Sequence, residues 1–98
     1  MLFIARFEDD PEAARIRDEQ TGNHYAFLAE HSEQILVAGA LREKAGGPSV
    51  GALWIMDVPD RAAAEAIIDD DPFWINGLRR SRSLLLWSRA VPDHPVTI

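Results

Sequence analysis

The chain has 98 residues, 47% apolar and 27% charged, an ordinary globular balance that argues against disorder and leaves room for one core. Its formal charge of −6, from 10 Lys and Arg against 16 Asp and Glu, repels phosphate backbones and anionic membrane surfaces, so no nucleic acid and no membrane is expected as a partner. There are no cysteines, which removes disulfide frameworks, thiolate metal sites and cysteine nucleophiles together.

Leu2 to Phe7 reads as a first strand, ended by the acidic turn Glu8-Asp9-Asp10-Pro11. Met1 to Arg6 has no basic lead-in and no long apolar run, so neither a signal peptide nor a membrane span is expected, and a cytoplasmic location is the default. A helical stretch follows from about Glu12 to Ser32, expected to be loose or broken at Thr21-Gly22-Asn23. Its second half is firmer, because His24, Phe27, Leu28 and His31 fall at i, i+3, i+4 and i+7 on one face. Gln34 to Arg42 is a second strand, Glu43 to Ser49 a hairpin-type loop around Gly46-Gly47-Pro48, and Val50 to Val58 a third strand. Pro59-Asp60 opens a second helix with Asp60 as N-cap and Ala64, Ile67 and Ile68 as the apolar face. Asp71-Pro72 begins another short turn or helix that Gly77 closes, and Ser81 to Ala90 is a fourth strand. The tail from about residue 92 is expected to be irregular.

The order β-α-β-β-α-β is that of the split βαβ motif, which predicts an α+β, ferredoxin-like single domain over residues 1–98. Its four-stranded antiparallel sheet takes the spatial order 4-1-3-2, with two helices on one face. The strands are nevertheless apolar on both faces. In the third, Ala52, Trp54 and Met56 alternate with Leu53 and Ile55, and Leu84-Leu85-Leu86-Trp87 repeats the pattern. A sheet with helices on one face only should alternate apolar and polar residues, so the other face requires its own cover. A second copy of the chain is the economical one, which predicts a homodimer through the open sheet face.

Few residues carry chemistry. His24 sits in a firm element among apolar neighbours, where its imidazole suits general acid or base work, or else is a hydrogen-bonded core histidine. His31 falls at a helix end, where a protonated ring suits the dipole, and His94 lies in the tail. Asp69-Asp70-Asp71 is odd, because three carboxylates at a helix C-terminus oppose the macrodipole. Asp71 before Pro72 reads either as the N-cap of the next turn or as a functional carboxylate, and Asp69 and Asp70 as a solvated rim. His24 with these carboxylates matches no specific metal motif, so no metal is expected. Gly46-Gly47-Pro48 lacks the sequel of a phosphate loop, and Ser81 and Ser83 lack a nucleophile elbow. Trp54, Trp74 and Trp87 read as core or dimer packing, and Arg79 to Arg82 as a basic cluster too short for nucleic acid.

Taken together, these features resemble the YCII-related family, in the dimeric α+β barrel group of ferredoxin-like proteins. The resemblance runs from Leu2 to about Ala90. It rests on His24 followed by an apolar helix, the strand Ile35-Leu36-Val37-Ala38-Gly39, the Gly-Pro loop, and Asp71-Pro72-Phe73 followed by Gly77. It implies that His24 and Asp71 form a polar pair in a cleft, acting as a catalytic dyad. The implied chemistry is cofactor-free proton transfer, of isomerase or lyase type, on a small cyclic or aromatic compound. The alternative is a small-molecule-binding or accessory protein of the same fold. Phe73, Trp74, Phe27 and Tyr25 would supply an apolar wall. The family commonly has Pro where Ala40 stands and a basic residue where Gln20 to Asn23 stand; Arg17 would take over the latter's hold on an anionic substrate group.

Overall fold

The computed structural model describes residues 1–94 of the chain. Four strands and three helices follow one another as β1 (Leu2–Asp9), α1 (Ala14–Glu30), β2 (Ile35–Leu41), β3 (Gly51–Asp57), α2 (Arg61–Asp69), α3 (Pro72–Ile75) and β4 (Arg79–Trp87). A single 3₁₀ turn, Pro11–Ala13, leads into α1. The strands form one antiparallel sheet in the order β2-β3-β1-β4, the expected 4-1-3-2 arrangement of a ferredoxin-like α+β fold.

Helix starts follow local chemistry. The carboxylate of Asp60 accepts from the Ala63 amide at the head of α2, and Asp71 accepts from the Phe73 amide at the head of α3, with Pro72 at the first helical position. Gly77, at φ +85°, supplies the left-handed residue that turns the chain from α3 into β4. The break expected at Thr21-Gly22-Asn23 does not occur, and α1 runs unbroken through it. Thr21 Oγ1 donates to the Arg17 carbonyl and Asn23 Nδ2 to Gln20 Oε1, so the polar side chains bond along the helix instead of unwinding it. A helical glycine costs only about 1 kcal/mol relative to alanine, less than the burial of Phe27 and His24 a turn further on recovers.

Alternation sets the core. Phe3, Ala5 and Phe7 of β1 share a face with Ala52, Trp54 and Met56 of β3, and this face packs on Phe27 of α1 and on Ala64 and Ile68 of α2. Trp54 at its centre is fully buried. Along β1 and β3 the other face carries Leu2, Ile4, Leu53 and Ile55, which are only half-buried, beside the exposed Leu85 and Trp87 of β4. No helix among the described residues is long and apolar enough to cross a membrane. Residues 91–94 form a turn in which the His94 amide meets the Val91 carbonyl. The rest of the irregular tail expected from about residue 92 lies outside the described residues.

One close approach depends on sequence. Gly51 stands opposite Glu8 at the end of the β1–β3 ladder, where an added Cβ would lie 2.0 Å from the Phe7 carbonyl oxygen. Only glycine lets the two backbones approach this closely.

Candidate active site

The helical face read from the sequence turns His24 toward the sheet, and α3 brings Asp71 to meet it. His24 Nδ1 lies 2.7 Å from Asp71 Oδ1, with the Asp71 side chain fully buried and the His24 side chain nearly so. Because a carboxylate accepts, the ring nitrogen donates, and this fixes the Nδ1–H tautomer of the neutral ring. Nε2 has no partner among the described residues, and His24 lines a cavity of about 250 Å³. Asp71 Oδ1 also takes the Phe73 amide at 3.1 Å, so the carboxylate is at once helix cap and imidazole acceptor. The Phe73 ring holds the imidazole from its face, with ring centroids 4.1 Å apart.

Behind the pair stand two residues that the sequence did not single out. Arg79 is buried at the start of β4, its Nε 3.6 Å from Asp71 Oδ2 and its Nη1 3.2 Å from Asp9 Oδ1. The first contact lies just beyond hydrogen-bond range and acts through charge alone. Burial pushes the Arg79 guanidinium below its ordinary proton affinity, while Asp71 and Asp9 oppose the fall. Asp9 continues the network outward, accepting from Arg17 Nη2 at 2.6 Å, and the same Nη2 donates to Ser49 Oγ at 2.9 Å. Charges of opposite sign therefore alternate from Asp71 through Arg79 and Asp9 to Arg17, with the His24 ring hydrogen-bonded at the Asp71 end. Such a chain compensates both buried carboxylates away from water, because each has a guanidinium beside it. Continuing the alternation Phe3, Ala5, Phe7 by one step puts Asp9 on the core face, and that was the available signal. Ending the strand at Phe7 hid it.

Not all the expected wall residues reach the cavity. Arg17, Tyr25 and Phe73 line it with His24, together with Thr21, Leu28 and Trp54 and the β2 residues Ala38, Gly39 and Ala40. Phe27 does not. It is one turn past His24 and sinks into the core, its ring 6.0 Å from that of Trp54. Trp74 also points elsewhere, lying under the Arg82 guanidinium at 4.5 Å, because successive residues of a helix point about 100° apart and Phe73 is the one turned to the cavity. Arg82 in turn pairs with Asp69 at 2.7 Å, which explains one carboxylate of the Asp69-Asp70-Asp71 run as a surface partner of β4. No group of three or more His, Cys, Asp or Glu side chains suited to a metal ion occurs among the described residues.

Residues 1–88 match the YCII-related domain family, a span that contains every residue of this network. The chain belongs to the YCII-related family. No curated protein matches it in sequence. Among solved structures, 5-chloro-2-hydroxyhydroquinone dehydrochlorinase from Burkholderia phenoliruptrix, in complex with 2,5-dihydroxybenzoquinone, is similar at TM-score 0.83 and 23% identity, over 92% of this chain and 96% of that one. The cofactor-independent oxygenase SnoaB from Streptomyces nogalater is similar at TM-score 0.53 and 18% identity, over 94% of this chain and 96% of that one. At such identities these likenesses show the fold alone: a ferredoxin-like α+β arrangement of a four-stranded antiparallel sheet with helices on one face.

Proposed function

We propose that this chain is a cofactor-independent proton-transfer enzyme, of isomerase or lyase type, acting on a small cyclic or aromatic compound. The observation that carries this reading is the buried His24–Asp71 pair at the wall of a cavity, with Nε2 of the imidazole unpartnered among the described residues. His24 is the general base. Its Nε2 takes a proton from an acidic C–H or O–H of the substrate, and the imidazolium so formed is held by the Asp71 carboxylate, which orients the ring throughout. The proton then returns to a different atom of the same molecule, which is isomerisation, or leaves with an expelled group, which is elimination. No nucleophile is required for either.

The cavity, at about 250 Å³, is just below the usual range of about 300–1,000 Å³ for ligand sites, which favours a single-ring compound. Tyr25, Phe73 and Trp54 supply the aromatic wall, and Arg17 a polar edge. The similarity to a dehydrochlorinase and to a cofactor-independent oxygenase supports small-molecule catalysis on this fold. We infer further that the chain works as a homodimer through its open sheet face. The half-buried Leu2, Ile4, Leu53 and Ile55, with Leu85 and Trp87, form an apolar surface there, beside a groove of about 460 Å³. A standard interface of about 800 Å² per partner would cover such a surface.

The test is a thermal-shift screen across lactones, hydroxyquinones and small cyclic acids, followed by turnover of whatever binds. A ligand at 100 times its dissociation constant should add about 2.7 kcal/mol of stability. His24→Ala should then lower turnover by about 10²- to 10⁴-fold while binding persists. Undiminished turnover in His24→Ala would refute the role of the base, and tight binding without turnover in the wild type would support a binding protein instead.

A further inference from the structure

Among the described residues, the cavity beside His24 is lined by Arg17, Arg42 and Arg79 and by no carboxylate. In a chain of net charge −6 this is a local reversal of sign, and a pocket lined by one sign of charge concentrates ligands of the other. Arg17 and Arg79 are compensated from behind, by Asp9 and by Asp9 with Asp71 respectively. Arg42 is not. It follows the last residue of β2 and is exposed at the cavity mouth, and among the described residues it has no carboxylate partner. Three arginines against two carboxylates leave one positive charge over, and it sits on Arg42.

The side chain is also prepared to use that charge. Arg42 Nε donates to the Gly47 carbonyl at 3.0 Å, so the hairpin loop fixes the guanidinium plane while both terminal nitrogens stay free of partners among the described residues. A planar fork held in this way can take two oxygens of an anion side by side, which a lysine cannot match. The chemistry of proton abstraction asks for the same thing. When a neutral base removes a proton, negative charge builds on the substrate, and a fixed cation at its far end stabilises that charge.

We propose that the cavity selects ring compounds that carry an ionised oxygen, a ring carboxylate or a deprotonated ring hydroxyl, and that Arg42 is the specificity-determining residue that holds it. This rests on the reading of the cavity as the substrate site and names the charge class of what enters it.

The experiment is binding to the wild-type protein and to Arg42→Gln, followed by calorimetry or by shifts in amide NMR signals, with two matched pairs of probes. Benzoate against benzamide tests the carboxylate, and 4-nitrophenolate against nitrobenzene tests the ionised hydroxyl. The expected result is that at least one anion binds the wild type about tenfold more tightly than its neutral partner, a factor in line with one charge-assisted contact. In Arg42→Gln that preference should fall to about twofold or less, with affinity for the neutral probe unchanged. Because Arg42 is exposed, the variant should keep the wild-type melting temperature. Equal binding of anion and neutral probe, a preference that survives in Arg42→Gln, or no binding of either anion at millimolar concentration would each overturn the proposal. Binding needs no turnover, so the two readings fail separately. An anion preference that disappears in Arg42→Gln would stand even if no substrate were ever turned over, and turnover of uncharged rings through His24 would sink this inference alone.

Discussion

Asp71→Asn isolates the charge of the buried carboxylate, because asparagine has nearly the same shape and caps a helix about as well as aspartate. The amide cannot serve all three neighbours. If its oxygen faces His24 Nδ1 and the Phe73 amide, as Oδ1 does now, its NH₂ group lies where Asp71 Oδ2 stands, 3.6 Å from Arg79 Nε, and two donors oppose one another. Orphaning one member of a buried pair costs about 3–5 kcal/mol, and the lower end applies here because Asp9 Oδ1, at 3.2 Å, still compensates Arg79. At about 4–8 °C per kcal/mol for a domain of this size, a loss of about 3 kcal/mol lowers the melting temperature by roughly 12–24 °C. The same substitution in an Arg79→Met background should cost only about 1 kcal/mol, because no buried cation is left to orphan, giving a coupling of about 2 kcal/mol. The assay is a double-mutant cycle by urea unfolding at one fixed protein concentration, since self-association would otherwise shift the midpoints. An equal cost of Asp71→Asn in both backgrounds would mean that the guanidinium and the carboxylate do not interact, and that Asp71 serves as cap and imidazole acceptor only.

Gly51→Ala should destabilise the chain by about 1–3 kcal/mol or more, because the new methyl group meets the Phe7 carbonyl oxygen, whereas Gly39→Ala, with nothing within 4 Å, should stay within about 0.5 kcal/mol of wild type in the same unfolding assay. Equal effects of the two would show that the β1–β3 backbones do not approach closely at that point. Ile55→Lys, at the centre of the open sheet face, should convert a species of twice the 10.9 kDa chain mass into one of single mass by sedimentation, with the fold retained. Wild-type protein that sediments as a monomer at micromolar concentration would refute the assignment of that face.

Local chemistry was readable wherever a residue's behaviour depends on its immediate neighbours. Asp60 and Asp71 cap the helices they precede, Gly77 takes positive φ, and the period of His24, Phe27 and Leu28 turns one face of α1 to the sheet. The strand order followed from the element order because few topologies satisfy short, right-handed connections. Errors arose where packing overruled propensity. Thr21-Gly22-Asn23 signals a break, yet α1 continues through it because burying Phe27 against Trp54 outweighs the glycine. Phe27 and Trp74 look like site residues by type, and geometry assigns them to the core and to Arg82.

What the sequence by itself determined is the ladder of elements, the apolar periodicity of each, and the YCII-related family to which the chain belongs. What only the tertiary structure decided is the charge pattern around His24 and Asp71. Asp9 and Arg79 are 70 positions apart and meet because β1 and β4 are neighbours in the sheet, with a register shift at Glu8 and Asp9 that sets Arg79 opposite Asp9. Read in sequence, Asp9 is one acid in a turn and Arg79 one base in a surface run. Their role depends on the absence of water around them, and burial is a property of the assembled core that no local stretch of residues contains.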